Sequence, residues 1–148
     1  MSQMNIGIDL HDTLTYAPEF FTEILRAWRG KKYIVTGTPA RDLAHAEKIV
    51  ADYRLEVDGV LMGFDFNKDE MNVEHFRRMA RHKLALLQEH DVTVYFDDNP
   101  FYAEFLRRHA IVVFQTIVSP RYLSDYRAKD PYFSCHLQER QFSFLETL

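Results

Sequence analysis

Short apolar runs alternate with longer amphipathic stretches along most of this chain, and that alternation limits its fold more than any other feature. Residues 5–9 (NIGID), 33–36 (YIVT), 57–62, 92–96 (VTVYF) and 111–114 (IVVF) read as strands. Residues 18–29 and 70–90 read as helices between them. Thr38-Pro39 and Asn99-Pro100 each offer a capping side chain followed by proline, which predicts helices over 38–53 and 99–109. Short strands alternating with helices of this length predict βαβ units on a parallel sheet. Strands apolar throughout are buried on both faces, and right-handed crossovers then place helices on both sides. The expected fold is a three-layer, Rossmann-like α/β domain with a mostly parallel central sheet.

The chain of 148 residues suits one domain with its own core. Residues 5–114 make that core. Residues 119–148 are polar-aromatic, contain Pro120 and Pro131, and read as an extension docked on the core or on another subunit. A homo-oligomer is therefore a partner expectation. Twelve Phe, eight Tyr and one Trp make up 14% of the chain, which supplies apolar surface for such a contact. The net charge of -4 gives no basic footprint for nucleic acid. The single cysteine, Cys135, excludes an internal disulfide and fits a reducing compartment. The first residues show no secretory signal pattern, and no apolar run is long enough to span a bilayer. The expectation is a cytoplasmic protein.

In an open α/β sheet, ligands bind beyond the carboxyl ends of the strands. Asp9-Leu10-His11-Asp12-Thr13 follows the first strand, Thr36-Gly37-Thr38 the second, and Asp97-Asp98-Asn99 the fourth. One acidic turn would mean little, since turns favour Asp and Asn. Two strands ending in acidic clusters, with a hydroxyl-bearing turn between them, form a site pattern. Grouped oxygen ligands suit a hard cation such as magnesium.

Lys83 is the candidate cation of the chain itself. Phe76, Met79, Ala80, Leu84 and Leu87 form one helical stripe, and Lys83 lies in its middle. Two readings fit: a lysine snorkelling from a partly covered helix, or one paired with buried acid. The heights favour the second. Lys83 stands roughly 10 Å above the lower end of its helix at about 1.5 Å per residue. The fourth strand climbs roughly 16–20 Å, and a lysine stem spans the difference.

IDLHDTLT resembles the first motif of the haloacid dehalogenase superfamily, an apolar strand followed by D-x-D-x-T. Thr36 in YIVTG resembles the second motif, Lys83 the third, and VYFDDNP the fourth in its double-aspartate form. Receiver domains also gather acid, threonine and lysine, but there the acidic pair comes early and the lysine last. The resemblance implies that Asp9 attacks phosphorus and forms an aspartyl-phosphate. Thr36 and Gly37 would bind the phosphoryl group, and Lys83 would neutralise both it and Asp9. Asp9, Asp97, Asp98 and the main-chain carbonyl of His11 would hold magnesium, with Thr13 supporting the loop.

One residue departs from that pattern. Family phosphatases place a second aspartate two residues after the nucleophile, as general acid and base, and this chain has His11. Imidazole can also donate or accept a proton near neutral pH. Asp12, one residue on, is expected to face away from the Asp9 pocket. The remaining histidines, His45 among them, show no ligand spacing. Too few residues separate the motifs for a large cap, so the expected substrate is a small phosphorylated metabolite or nucleotide at an open site. The spacing also resembles small deoxyribonucleotidase-like members. Two alternatives stay open: a catalytically weak domain that acts by binding, and a phosphotransferase or other chemistry through Asp9.

Overall fold

The computed structural model describes residues 3–122. The five expected strands form one parallel sheet: β1 (Asn5–Ile8), β2 (Lys32–Pro39), β3 (Gly59–Gly63), β4 (Val92–Asp97) and β5 (Val112–Gln115). The helices between them are α1 (Pro18–Ala27), α2 (Leu43–Asp52), α3 (Val73–Glu89) and α4 (Pro100–Leu106). Strand order is β3-β2-β1-β4-β5, so the chain winds outward from β1 and then returns across it. That reversal leaves a crevice above the neighbouring ends of β1 and β4, where Ile8 pairs with Phe96. Residues 119–122 continue past β5. The rest of the expected extension, 123–148, lies outside the described residues.

Each face of the sheet buries its own core. Ile6, Ile8, Ile34 and Val94 meet Phe21 and Leu25 of α1 and Ala46 of α2. On the other face Val35 and Tyr95 meet Phe76, Met79 and Leu87 of α3 and Phe101 and Leu106 of α4. The period-2 alternation of β4 sends Val94 to one core and Tyr95 to the other. Gly63 is required by close approach: a Cβ there would lie 2.5 Å from the carbonyl oxygen of Gly37 on β2.

Asn99 caps α4 as expected, its Oδ1 accepting from the backbone N–H groups of Phe101 and Tyr102. The Thr38-Pro39 expectation fails. β2 runs on to Pro39, which pairs with Gly63, and α2 starts at Leu43 after a tight turn over Ala40–Asp42. The reason lies in Thr38. Its hydroxyl is 2.8 Å from that of Thr36, inside the strand end, and so is not offered to a helix. Proline fixes φ alone, and the ψ of 143° at Pro39 keeps it extended. The first and third strands are also slightly offset from 5–9 and 57–62. No large cap domain occurs among the described residues: only the turn Lys68–Glu70 separates β3 from α3. No described helix is long and apolar enough to cross a membrane.

His75, in the first turn of α3, is packed against Phe64, Phe66 and Phe76. Burial, and then the Arg78 charge, hold its pKa below the usual 6.5. The unfolded chain therefore binds a proton that the folded chain resists, and stability falls as pH drops below about 6.5. Urea unfolding at pH 7.5 and 5 should show a smaller loss for His75→Phe than for the wild type. Equal losses would place the acid sensitivity elsewhere.

Candidate active site

Asp9 leaves the end of β1 and is followed by a single wide turn, Leu10–Leu14. The N–H of Leu14 donates to the Asp9 carbonyl and that of Thr15 to the Leu10 carbonyl, each five residues back. Asp12 carries the positive φ of 59° that lets the turn close, a conformation that Asp tolerates better than most residues. Its N–H donates to Thr15 Oγ1 at 3.0 Å. Thr13 Oγ1 donates to Asp98 Oδ1 at 3.2 Å, which ties this loop to the end of β4.

Lys83 is buried to 1% exposure and reaches the crevice from α3. Its Nζ donates to Asp97 Oδ2 at 2.7 Å, to Tyr95 Oη at 2.9 Å and to Asp9 Oδ1 at 3.2 Å. It also lies 4.7 Å from the centre of the Tyr102 ring. The geometry resolves the two readings of the sequence: this lysine is paired, not snorkelling. Burial works against its charge, but the Asp9 and Asp97 carboxylates outweigh that and hold the ammonium above its ordinary range.

The carboxylates differ in their surroundings. Asp97 is fully enclosed: Oδ2 accepts from Lys83 and from Tyr95, and Oδ1 from the N–H of Asn99 at 2.9 Å. Burial, then Asp9, push its pKa upward, while Lys83 pulls it back. Asp98 has Thr13 as its hydrogen-bond donor, and burial followed by the Asp9 and Asp97 charges pushes it well up. Ligand oxygens of Asp9, Asp97 and Asp98 all lie within 4.8 Å of one another. Three carboxylates around one ammonium leave a local excess of negative charge. An oxygen-only donor set of this kind fits a hard divalent cation.

Thr36 and Gly37 sit at the adjoining end of β2. Thr36 is buried at 1% exposure against Thr38, and Gly37 is half-buried. The His11 ring lies outside the carboxylate group and stacks on His45 of α2, with ring centres 5.3 Å apart and planes 15° from parallel. Asp9, Thr36, Gly37, Lys83, Asp97 and Asp98 thus come from four elements to one sheet edge, with His11 beside them.

Tyr95, Tyr102 and His45 were not foreseen at the site. Tyr95 carried a signal, since alternation along β4 aims it toward the stripe that bears Lys83. Tyr95 Oη also lies 3.1 Å from the Val35 carbonyl oxygen, sharing its one proton between that oxygen and Asp97, so it links β4 to β2 beneath the lysine. His45 carried none. Its place beside His11 depends on where α2 begins, which the Thr38-Pro39 pattern misstated.

No family model and no curated protein matches the chain. Solved structures do. A chain of the Pnkp1/Rnl/Hen1 RNA repair complex superposes with TM-score 0.58 at 17% identity, covering 76% of this chain and 42% of that one. A second structure of the Pnkp1/Rnl/Hen1 complex gives TM-score 0.59 at 18% identity, covering 78% and 46%. A core domain from Streptococcus pneumoniae TIGR4, provisionally named a phosphoglycolate phosphatase, gives TM-score 0.48 at 14% identity, covering 88% and 98%. This chain spans less than half the length of the first two. The likeness shows the fold alone: a three-layer, Rossmann-like α/β core on a parallel sheet, with no large cap among the described residues.

Lys83→Met should destabilise the fold by about 3–5 kcal/mol in metal-free buffer, because two buried carboxylates lose their counter-charge. Chemical denaturation checks this. A loss below about 1 kcal/mol would mean that the crevice is wet and screened.

Proposed function

We propose that this chain is a magnesium-dependent phosphomonoester hydrolase of haloacid dehalogenase type, with Asp9 as nucleophile and His11 as acid and base. The observation that carries the reading is the triangle of Asp9, Lys83 and Asp97 beside Asp98, at the switch point of the sheet. The residues have the donors for the metal. Asp9 and Asp98 would hold it with the main-chain carbonyl of His11, and it would shield the anionic nucleophile from an anionic substrate. Asp97, which also fixes Lys83 through Oδ2, would complete the set.

The chain's own groups then divide the work. Lys83 holds Asp9 Oδ1 and so orients the carboxylate. An Asp9 oxygen forms a bond to phosphorus as the ester P–O bond breaks, and protonated His11 gives its proton to the leaving oxygen. Neutral His11 next takes a proton from water, whose oxygen attacks phosphorus and releases Asp9 with inorganic phosphate. Thr36 and the half-buried Gly37 line the end of β2 where phosphoryl oxygens would rest. Stacking on His45 sets the plane of the His11 ring. With no large cap, a small phosphorylated metabolite or nucleotide reaches the site from open solvent.

Turnover of p-nitrophenyl phosphate with magnesium tests this. Asp9→Asn should abolish it, and His11→Ala should lower kcat about 10²–10⁴-fold. His45→Ala should lower kcat with KM little changed, while His45→Phe, which keeps a ring against His11, should restore much of it. A wild type inert where His11→Asp is active would instead favour a domain that works by binding. Transfer of the phosphoryl group to an added alcohol rather than to water would favour a phosphotransferase.

A further inference from the structure

Helix cover over the sheet is unequal. On the face carrying α3 and α4, Val113 of β5 packs into the core. On the opposite face α1 and α2 cover β1, β2 and β3, and burial fades towards β5. Ile6 and Ile8 of β1 are at 0% exposure and Val94 of β4 at 6%, but Val112 and Phe114 of β5 are at 55% and 52%. The register makes this one surface, since Val94 pairs with Val112 and Phe96 with Phe114. An aromatic chain continues it: Phe114 stacks on Phe96, which meets Phe21, which meets Phe20, itself 54% exposed. Ile117, just past β5, is 82% exposed. Contiguous apolar surface of this kind calls for an occupant.

The path of the chain names one. After β5 it turns back over the sheet edge, and at Tyr122 it has reached the start of α1. The Tyr122 ring packs edge-on against Tyr16 at 4.7 Å, and its hydroxyl lies 3.3 Å from Thr15 Oγ1. The described residues therefore end beside Thr15 and Tyr16, at the entry to α1, whose first turn carries Phe20. Residues 123–148 follow, and they include Leu123, Tyr126, Tyr132, Phe133, Phe142 and Phe144. Their length suffices: even at the helical rise of about 1.5 Å per residue they reach roughly 39 Å, well beyond the roughly 20 Å of a six-residue strand.

We propose that residues 123–148 of the same chain cover the face formed by Val112, Phe114, Ile117 and Phe20. Tyr122, the residue just before this segment, contacts Thr15 and braces the turn that follows Asp9. Thr15 Oγ1 accepts the N–H of Asp12, so the brace bears on the loop itself.

Limited trypsinolysis of the full chain, followed by mass spectrometry and paired with sedimentation velocity, tests this. Arg127, Lys129 and Arg140 are the cleavage sites within the segment. The wild type should sediment as a monomer with those sites protected. Phe114→Asp and Ile117→Asp should raise cleavage there at least about tenfold, with the rest of the chain still resistant. Ile117 is so exposed that its substitution leaves the core intact, which guards against a merely unfolded variant. Rapid cleavage of the wild type, or protection unchanged in both variants, would overturn the proposal. A wild-type dimer that both variants convert to monomers would overturn it in favour of a second copy on the same face.

Discussion

A lysine ammonium with 1% exposure cannot persist in a protein interior unless acid surrounds it, and the site is organised around meeting that demand. Lys83 comes from α3, Asp9 from the end of β1, and Asp97 from the end of β4. Tyr95 extends the cluster to β2 through the Val35 carbonyl. One buried charge thus joins the three central strands to the helix that covers them. Asp97 meets that charge most closely, at 2.7 Å. Asp9 shares it at longer range, and Asp98 does not bond it at all.

The surrounding loops serve the same geometry. The wide turn after Asp9 depends on the positive φ of Asp12, and Thr13 joins that turn to Asp98. The Asn99 cap begins α4 immediately after the acidic pair, so the helix start and the Asp97 oxygen are fixed by successive backbone N–H groups. Burial first, and then the neighbouring carboxylate charges, push Asp97 and Asp98 upward, so the crowding is unfavourable for the fold alone. Crowded acid of this kind is what a cation site requires.

Much of this was legible in the sequence because it followed from apolar patterning. Short continuous apolar runs identified the strands and hence their carboxyl ends, where Asp9, Thr36 and Asp97 stand. Period 3.6 placed Lys83 on an apolar stripe, and the cost of that placement implied its acid partners. What sequence reasoning missed depended on local choices that periodicity does not control. Thr38-Pro39 has the composition of a helix start, yet a Thr–Thr hydrogen bond keeps it in the strand. The His11–His45 stack joins residues on separate elements, and no spacing rule brings them together. Tyr95 read as one more apolar strand residue, although its hydroxyl is the third partner of the lysine.

The central claim is that Asp9 is a nucleophile towards phosphorus, poised by Lys83 and a metal held beside it. Beryllofluoride mimics a phosphoryl group on a carboxylate and needs no knowledge of the substrate. Fluorine NMR of the protein with beryllofluoride should show bound resonances that require magnesium and vanish in Asp9→Asn. Their absence from the folded wild type with magnesium present, or their persistence in Asp9→Asn, would contradict the account.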